Sequence, residues 1–70
     1  MDKVANNEKI SEAVKLINNR SYKEALECLK DVVSENKNDP KIFNLYGIVQ
    51  FQLNKMNEAI NSFERTILLD

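Results

Sequence analysis

Apolar residues recur on one side of a helix in two separate segments of the chain. In the first segment they fall at i, i+3, i+4, i+7, i+10 and i+11, and the second segment repeats these intervals with one threonine among them. The first set is Tyr22, Ala25, Leu26, Leu29, Val32 and Val33, and the second is Met56, Ala59, Ile60, Phe63, Thr66 and Ile67. This spacing is typical of amphipathic α-helices, so the pattern predicts two such helices.

The two segments are related by a shift of 34 residues. Ala25 and Ala59 are 34 residues apart, and Ala13 and Gly47 in the preceding segments are separated by the same interval. The repeated unit is therefore a pair of helices and not a single helix. We expect one domain over residues 1–70, with a first repeat over about 6–39 and a second over about 40–70.

Helix start and stop signals place four helices. The predicted bounds are Val4 or Asn7 to Asn18, Ser21 to Glu35, Pro40 to Leu53 and Met56 to Leu69. Ser21 with Glu24 three residues later forms a capping-box sequence. Asp39 is a good N-cap before Pro40 in the first helical position. Asn54 is expected to cap the fourth helix, because Lys55 cannot accept a backbone N–H.

The third helix carries apolar side chains around most of its circumference. These are Ile42, Phe43, Leu45, Tyr46, Ile48, Val49, Phe51 and Leu53. A helix that is apolar on several sides is buried on several sides. We therefore expect the third helix to contact the second and fourth helices and also the first.

Charge and hydropathy exclude several classes of partner. With 10 basic and 11 acidic side chains, the net charge of −1 gives no electrostatic attraction for nucleic acid or an anionic membrane. The sequence has no run of the ~20 apolar residues that a membrane-spanning helix needs, and its N-terminus lacks the apolar core of a signal peptide. A cytoplasmic protein without nucleic-acid or membrane partners is predicted.

The residue types that most often carry catalysis are scarce. There is no histidine, and the single cysteine, Cys28, lies beside the apolar stripe of the second helix, where a partly buried small residue is expected. Two i, i+4 carboxylate pairs, Glu8 with Glu12 and Glu27 with Asp31, are interpreted as surface charge among lysines. We expect no enzyme activity, no catalytic residue, no metal and no cofactor.

The repeat resembles the tetratricopeptide repeat (TPR), a 34-residue helix-turn-helix unit with large and small signature residues. The signature positions are Ala13, Tyr22, Ala25 and Leu29 in the first copy and Phe43, Tyr46, Gly47, Ala59 and Phe63 in the second. The first copy departs from the pattern at Lys9 and Glu12, and the second at Gln50. The resemblance implies an all-α fold of two tandem antiparallel helical hairpins, stacked as a right-handed TPR-type solenoid fragment.

The same resemblance implies a protein–protein interaction scaffold. The first helices of the repeats would line a concave groove for an apolar peptide or a partner's helix, within a larger assembly or a longer array. The groove candidates are Asn7, Ile10, Val14, Ile17, Asn18, Lys41, Asn44, Leu45, Ile48, Phe51 and Gln52. The apolar members among them could instead be core residues.

One ligand class of similar repeats is not expected to bind. TPR domains of chaperone co-factors grip a C-terminal carboxylate with Lys, Asn and Arg side chains, because a desolvated carboxylate needs charged donors. The matching positions here are Ile10, Val14 and Leu45. Binding of acidic chaperone tails is therefore predicted to be absent.

Two repeats leave an apolar face without a neighbour. Leu68 and Leu69 end the fourth helix where a following helix would pack, and helical repeat arrays generally need at least three units or a cap. Either a longer array continues there, or a second copy covers the face. The alternative function is thus homo-oligomerisation, in which a second copy caps the groove or the open C-terminal face.

Overall fold

A computed structural model describes the backbone of residues 2–69 and the side chains of residues 8–69. The order of elements is α1 (Asp2–Asn18), α2 (Tyr22–Glu35), α3 (Pro40–Gln52) and α4 (Met56–Leu69). No strand occurs within residues 2–69. The predicted all-α class is confirmed. The helix bounds differ from the prediction in the earlier start of α1, in the start of α2 at Tyr22 instead of Ser21, and in the end of α3 one residue sooner.

The helices pair as two hairpins joined through α2. α1 packs against α2, α3 packs against α4, and α2 also packs against α3. The expected packing of α3 on α1 is not among the extensive contacts between the described helices. Because α2 contacts both of its neighbours, it holds the hairpins together without a second large interface between α1 and α3.

The turn inside each hairpin is built in the same way. Arg20 (φ 62°) and Asn54 (φ 64°), which are 34 residues apart, adopt the left-handed conformation after α1 and α3. In the first turn the Ser21 N–H donates to the Leu16 carbonyl at 2.7 Å, and in the second the Lys55 N–H donates to the Gln50 carbonyl at 2.8 Å. These are the bonds of the Schellman motif, which ends a helix and reverses the chain. The turns therefore repeat along with the helices.

The expectation that Asn54 caps α4 is wrong. Asn54 is the left-handed residue of the turn, and Asn is one of the few non-glycine residues that adopt this conformation readily. The carbonyl of Lys55 accepts the Ala59 N–H at 2.9 Å, so α4 begins directly after Lys55. Asn54 thus terminates α3 instead of starting α4.

The two predicted N-caps behave differently. Oδ1 of Asp39 accepts the Lys41 N–H at 3.0 Å, with Pro40 in the first turn, so this cap is confirmed. Ser21 occupies the N-cap position of α2, but its side chain makes no capping hydrogen bond. Its backbone (φ −89°, ψ 65°) is outside the extended region usual for an N-cap, because Ser21 also closes the preceding Schellman turn.

The core is centred on α2. Fully buried side chains on this helix include Ala25, Leu29 and Val32, and they are joined by Ala13 from α1 and Val49 from α3. Ala59, the counterpart of Ala25, is also buried. The small residues thus occupy equivalent environments where paired helices approach closely, as the repeat predicts.

Equivalent positions of the two hairpins carry different chemistry. In the first hairpin Nζ of Lys9 lies 3.7 Å from Oδ2 of Asp31, an exposed ion pair between α1 and α2. In the second hairpin the same two positions are Phe43 and Arg65, and the guanidinium carbon lies 5.7 Å from the ring centroid. Both pairs link the two helices of a hairpin, and the second uses a cation–π interaction.

A second matched pair lies deeper. The Ser62 hydroxyl donates to Oε1 of Gln50 at 2.5 Å, and both side chains are buried. The corresponding residues in the first hairpin are Leu16 and Cys28, and the Cys28 thiol donates to the Lys9 carbonyl at 3.1 Å. The departure from the TPR pattern at Gln50 is therefore compensated by a hydrogen-bond partner on α4, as a buried polar side chain requires.

Candidate functional site

The candidate groove uses one face of α1 and the equivalent face of α3. Val14 corresponds to Ile48 and Ile17 to Phe51 under the 34-residue shift. Val14 and Ile48 directly follow the buried small residues Ala13 and Gly47, and Ile17 and Phe51 follow these small residues by one helical turn. The corresponding faces of α1 and α3 therefore occupy equivalent positions in the two hairpins.

The α1 part of the groove is a mixture of apolar and neutral side chains. Ile10 is half-buried, Val14 is 38% exposed and Asn18 is exposed. Ile17 is half-buried and packs against the buried core, so it supports the surface from beneath. The side chain of Asn7, the remaining candidate on this helix, lies outside the described residues.

The α3 part presents the largest apolar side chain of the candidate groove. Phe51 is 52% exposed, whereas Ile48 is half-buried. Leu45 is half-buried and packs against the core, as Ile17 does. The polar candidates Lys41, Asn44 and Gln52 are all exposed. Two of the apolar candidates thus belong to the core, and Val14 and Phe51 are available at the surface.

The charge of the groove candidates is low. Among the groove candidates whose side chains are described, Lys41 is the only one with a formal charge. Its backbone N–H donates a hydrogen bond to the Asp39 side chain. Ile10, Val14 and Leu45, which the resemblance to the TPR matches to a carboxylate clamp, have no hydrogen-bond donors in their side chains. The arrangement therefore suits an apolar ligand better than a charged one.

Two of the pockets formed by the described residues lie outside the candidate groove. One, of about 390 Å³, is lined by Arg20, Ser21, Tyr22, Lys23, Glu24 and Leu53, where the α1–α2 turn faces the end of α3. This pocket gives no periodic signal in the sequence, because it arises where the chain reverses at Arg20. The other pocket, of about 290 Å³, is lined by Glu64, Ile67 and Leu68 on α4.

The outer face of α4 is more apolar and more exposed than the sequence predicts. Of the two leucines expected at the open C-terminal face, Leu68 is 79% exposed and Leu69 is half-buried. Ile60 and Ile67, assigned to the inward stripe of this helix, are 54% and 75% exposed. The stripe was identified correctly, but periodicity does not tell whether another helix covers it.

The nucleophile and carboxylate candidates are in ordinary surroundings. Cys28 is half-buried, and burial raises the pKa of its thiol, with the negative charge of Glu12 adding to the effect. Glu27 pairs with Lys30 at 3.1 Å, and Asp31 pairs with Lys9. Within the described part of the chain no group of three or more potential metal ligands comes together. Cys28 is thus a partly buried residue of the hairpin, and Glu27 and Asp31 are surface groups paired with lysines.

Two hairpins with matching turns, matching small residues and a shared α2 define a TPR-type helical repeat. Residues 4–66 match the family model described as anaphase-promoting complex, cyclosome, subunit 3, which is a TPR-type repeat family, and the chain belongs to this family. No curated protein and no solved structure matches the chain. Among the described residues, no helix is both long enough and apolar enough to cross a bilayer. The family is one of protein–protein interaction scaffolds.

Proposed function

We propose that the chain binds an apolar peptide or a partner's amphipathic helix in the groove formed by the equivalent faces of α1 and α3. The observation that carries this proposal is the exposure of Phe51, at 52%, among groove candidates of which Lys41 is the only charged one. An exposed aromatic side chain can be buried by a ligand, and large aromatic residues dominate the binding energy of many interfaces.

The setting we propose is a multi-subunit assembly. The matching family is named for a subunit of the anaphase-promoting complex, cyclosome. A chain whose core is shared between two hairpins and whose outer faces keep exposed apolar residues is suited to be one segment of such an assembly. Its role there is to hold partner segments in place, without chemistry of its own.

The groove can be tested with peptides selected against the immobilised chain. A selected helical peptide is titrated by fluorescence anisotropy against the unchanged chain and against Phe51→Glu. Loss of the buried aromatic contact should weaken binding about tenfold or more. Ile67→Glu, which places the same charge on another exposed apolar position, is the matched control and should bind as the unchanged chain does.

Two results would contradict the groove proposal. One is unchanged affinity in Phe51→Glu, provided that circular dichroism shows both variants folded. The other is micromolar binding of a peptide that ends in acidic residues and a free carboxylate, since Ile10, Val14 and Leu45 offer it no charged donors.

Self-association is the second candidate function, and the exposure of Ile67 and Leu68 favours it. A second copy could cover these side chains and remove their apolar surface from water. Size exclusion coupled to light scattering at tens of micromolar decides the question. A monomer removes this candidate, and a dimer that Ile67→Glu dissociates supports it.

A further inference from the structure

The outer face of α4 is the repeat counterpart of a face that is covered on α2. Leu26 on α2 is 8% exposed, whereas Ile60, its counterpart on α4, is 54% exposed. Val33 is half-buried, whereas its counterpart Ile67 is 75% exposed. The difference follows from packing, because α3 lies against α2 and no described helix takes the corresponding place on α4.

The α4 face also extends beyond the part that a further repeat would cover. Leu68 is 79% exposed, and its counterpart on α2, Ser34, is exposed although α3 is packed on that helix. A helix placed on α4 as α3 is placed on α2 would therefore leave Leu68 in water. Glu64 lies between the isoleucines and Leu68 and lines the 290 Å³ pocket with Ile67 and Leu68.

A second copy stacked head to tail does not suit this face. In such a stack α1 of the next copy would take the place that α3 takes on α2. The apolar residues along the side of α3 that joins the core are Ile42, Leu45, Val49 and Leu53. Their counterparts on α1 are Glu8, Ser11, Lys15 and Asn19, which are all polar and exposed. α1 is therefore a polar end of the stack, which resists open-ended association.

A symmetric pairing of two α4 faces is also disfavoured. A twofold axis through the middle of the face would pass between Ile60 and Ile67 and bring the two Glu64 side chains together. Like charges that lose water at an interface repel each other and cost free energy. A partner with a positive charge at this place gains an ion pair instead.

We propose that the face formed by Ile60, Glu64, Ile67 and Leu68 binds an amphipathic helix of another protein. The helix that fits carries aliphatic side chains at i, i+3 and i+7, with Lys or Arg at i+4 to pair with Glu64. The aliphatic side chains cover the isoleucines and Leu68. This surface lies on a different helix from the proposed groove, and the two sites are independent.

The test uses labelled helical peptides of about 18 residues with one apolar stripe and either Lys or Glu at the central position. Fluorescence anisotropy with the 70-residue chain should show tighter binding of the Lys peptide. In Glu64→Lys the preference should reverse. Leu68→Ser, which copies Ser34 of α2, should weaken binding about tenfold, and Phe51→Ser should leave it unchanged.

Four outcomes would overturn the proposal. A peptide of residues 38–53 that binds as tightly and ignores Leu68→Ser would make this a stacking face for a further repeat. Loss of binding in Phe51→Ser would assign the peptide to the groove. A wild-type dimer that Leu68→Ser dissociates would identify a second copy as the occupant, and equal binding of the Lys and Glu peptides would exclude recognition through Glu64. Circular dichroism confirms folding, which these exposed positions should not disturb.

Discussion

Gly47 and Phe63 show how a repeat keeps its packing while its residues change. A Cβ at Gly47 would lie 2.7 Å from a ring carbon of Phe63, closer than such atoms approach in folded proteins. The equivalent positions in the first hairpin are Ala13 and Leu29, both fully buried. One hairpin thus pairs glycine with a large ring, and the other pairs alanine with a smaller side chain.

Gly47→Ala is expected to destabilise the protein by about 1–2 kcal/mol, because overpacking outweighs the gain of about 1 kcal/mol in helix propensity. Phe63→Leu alone should also destabilise, by leaving a cavity. In the double variant, which copies the first hairpin, the cost of Gly47→Ala should largely disappear. Urea denaturation of the four proteins measures this coupling. Additive effects of the two substitutions would contradict the proposed compensation.

Cys28, a half-buried residue, contributes to the pH dependence of stability. Burial raises the pKa of its thiol, and the nearby charges of Glu12 and Asp31 raise it further, whereas Lys9 and a backbone hydrogen bond act in the opposite direction. Since the folded pKa is above the unfolded one, the unfolded chain loses its proton first as the pH rises. The contribution of the Cys28 thiol to stability is therefore fully present below the ordinary thiol pKa. It is lost as the pH rises through the raised pKa of the folded state.

Cys28→Ser places at this position the residue that its counterpart, position 62, already has. The serine hydroxyl does not titrate in the alkaline range, so the variant should lose less stability than the unchanged chain between neutral and alkaline pH. Chemical denaturation across a pH series measures the difference in stability between the two proteins. Because all other titrating groups are the same in both, the difference reports on the Cys28 thiol. Parallel curves for the two proteins would show that the thiol does not contribute.

At the scale of elements, the two Schellman turns differ in how well their central residues suit the left-handed conformation. Asn adopts it readily, but Arg does so only at a cost, because its Cβ crowds the backbone. Arg20 and Asn54 have nearly the same φ, 62° and 64°, so the two turns offer a matched comparison.

Arg20→Gly is expected to stabilise the protein by about 0.5–1 kcal/mol. The substitution removes the cost of holding a residue with a Cβ in the left-handed conformation, and the larger conformational entropy of glycine in the unfolded chain offsets part of this gain. Asn54→Gly should change stability by no more than a few tenths of a kcal/mol. Thermal and urea unfolding of both variants measure the contrast. A destabilised Arg20→Gly would mean that the arginine side chain makes contacts that outweigh its backbone cost.

The sequence predicted the helices well because their signals are local. The stripe from Tyr22 to Val33 and the Asp39–Pro40 start depend on neighbouring residues, and the structure has both. The errors occur where two elements compete for one residue. Ser21 closes a turn and its side chain makes no capping hydrogen bond to α2, and Asn54 ends α3 instead of starting α4.

The candidate groove could be predicted only as a face. The spacing of Val14, Ile17, Ile48 and Phe51 places them on equivalent sides of α1 and α3, but it does not distinguish core from surface. Packing makes that distinction, since Ile17 joins the core while Phe51, at the equivalent position, is exposed. Exposure depends on which helices lie nearby, and this information is not local in the sequence.

At the scale of the whole molecule, the two hairpins are equivalent in sequence but not in burial. α2 packs extensively against both α1 and α3, whereas α4 packs extensively only against α3 among the described helices. The buried core is thus concentrated around α2, and the stability of the protein should depend on α2 more than on α4. A pair of equivalent positions, Leu26 and Ile60, isolates this difference.

Leu26→Ala should cost about 2–3 kcal/mol, because it removes a buried side chain between the hairpins. Ile60→Ala removes a similar number of atoms at a position that is 54% exposed, so its cost should be below about 1 kcal/mol. Urea unfolding followed by circular dichroism gives both values, and equal m-values would show that the hairpins unfold together.

Because Leu26 joins α2 to α3, a second transition appearing in Leu26→Ala would show the hairpins separating. Similar costs at the two positions would mean that something covers Ile60 in solution, and light scattering on the same samples would show whether it is another copy of the chain.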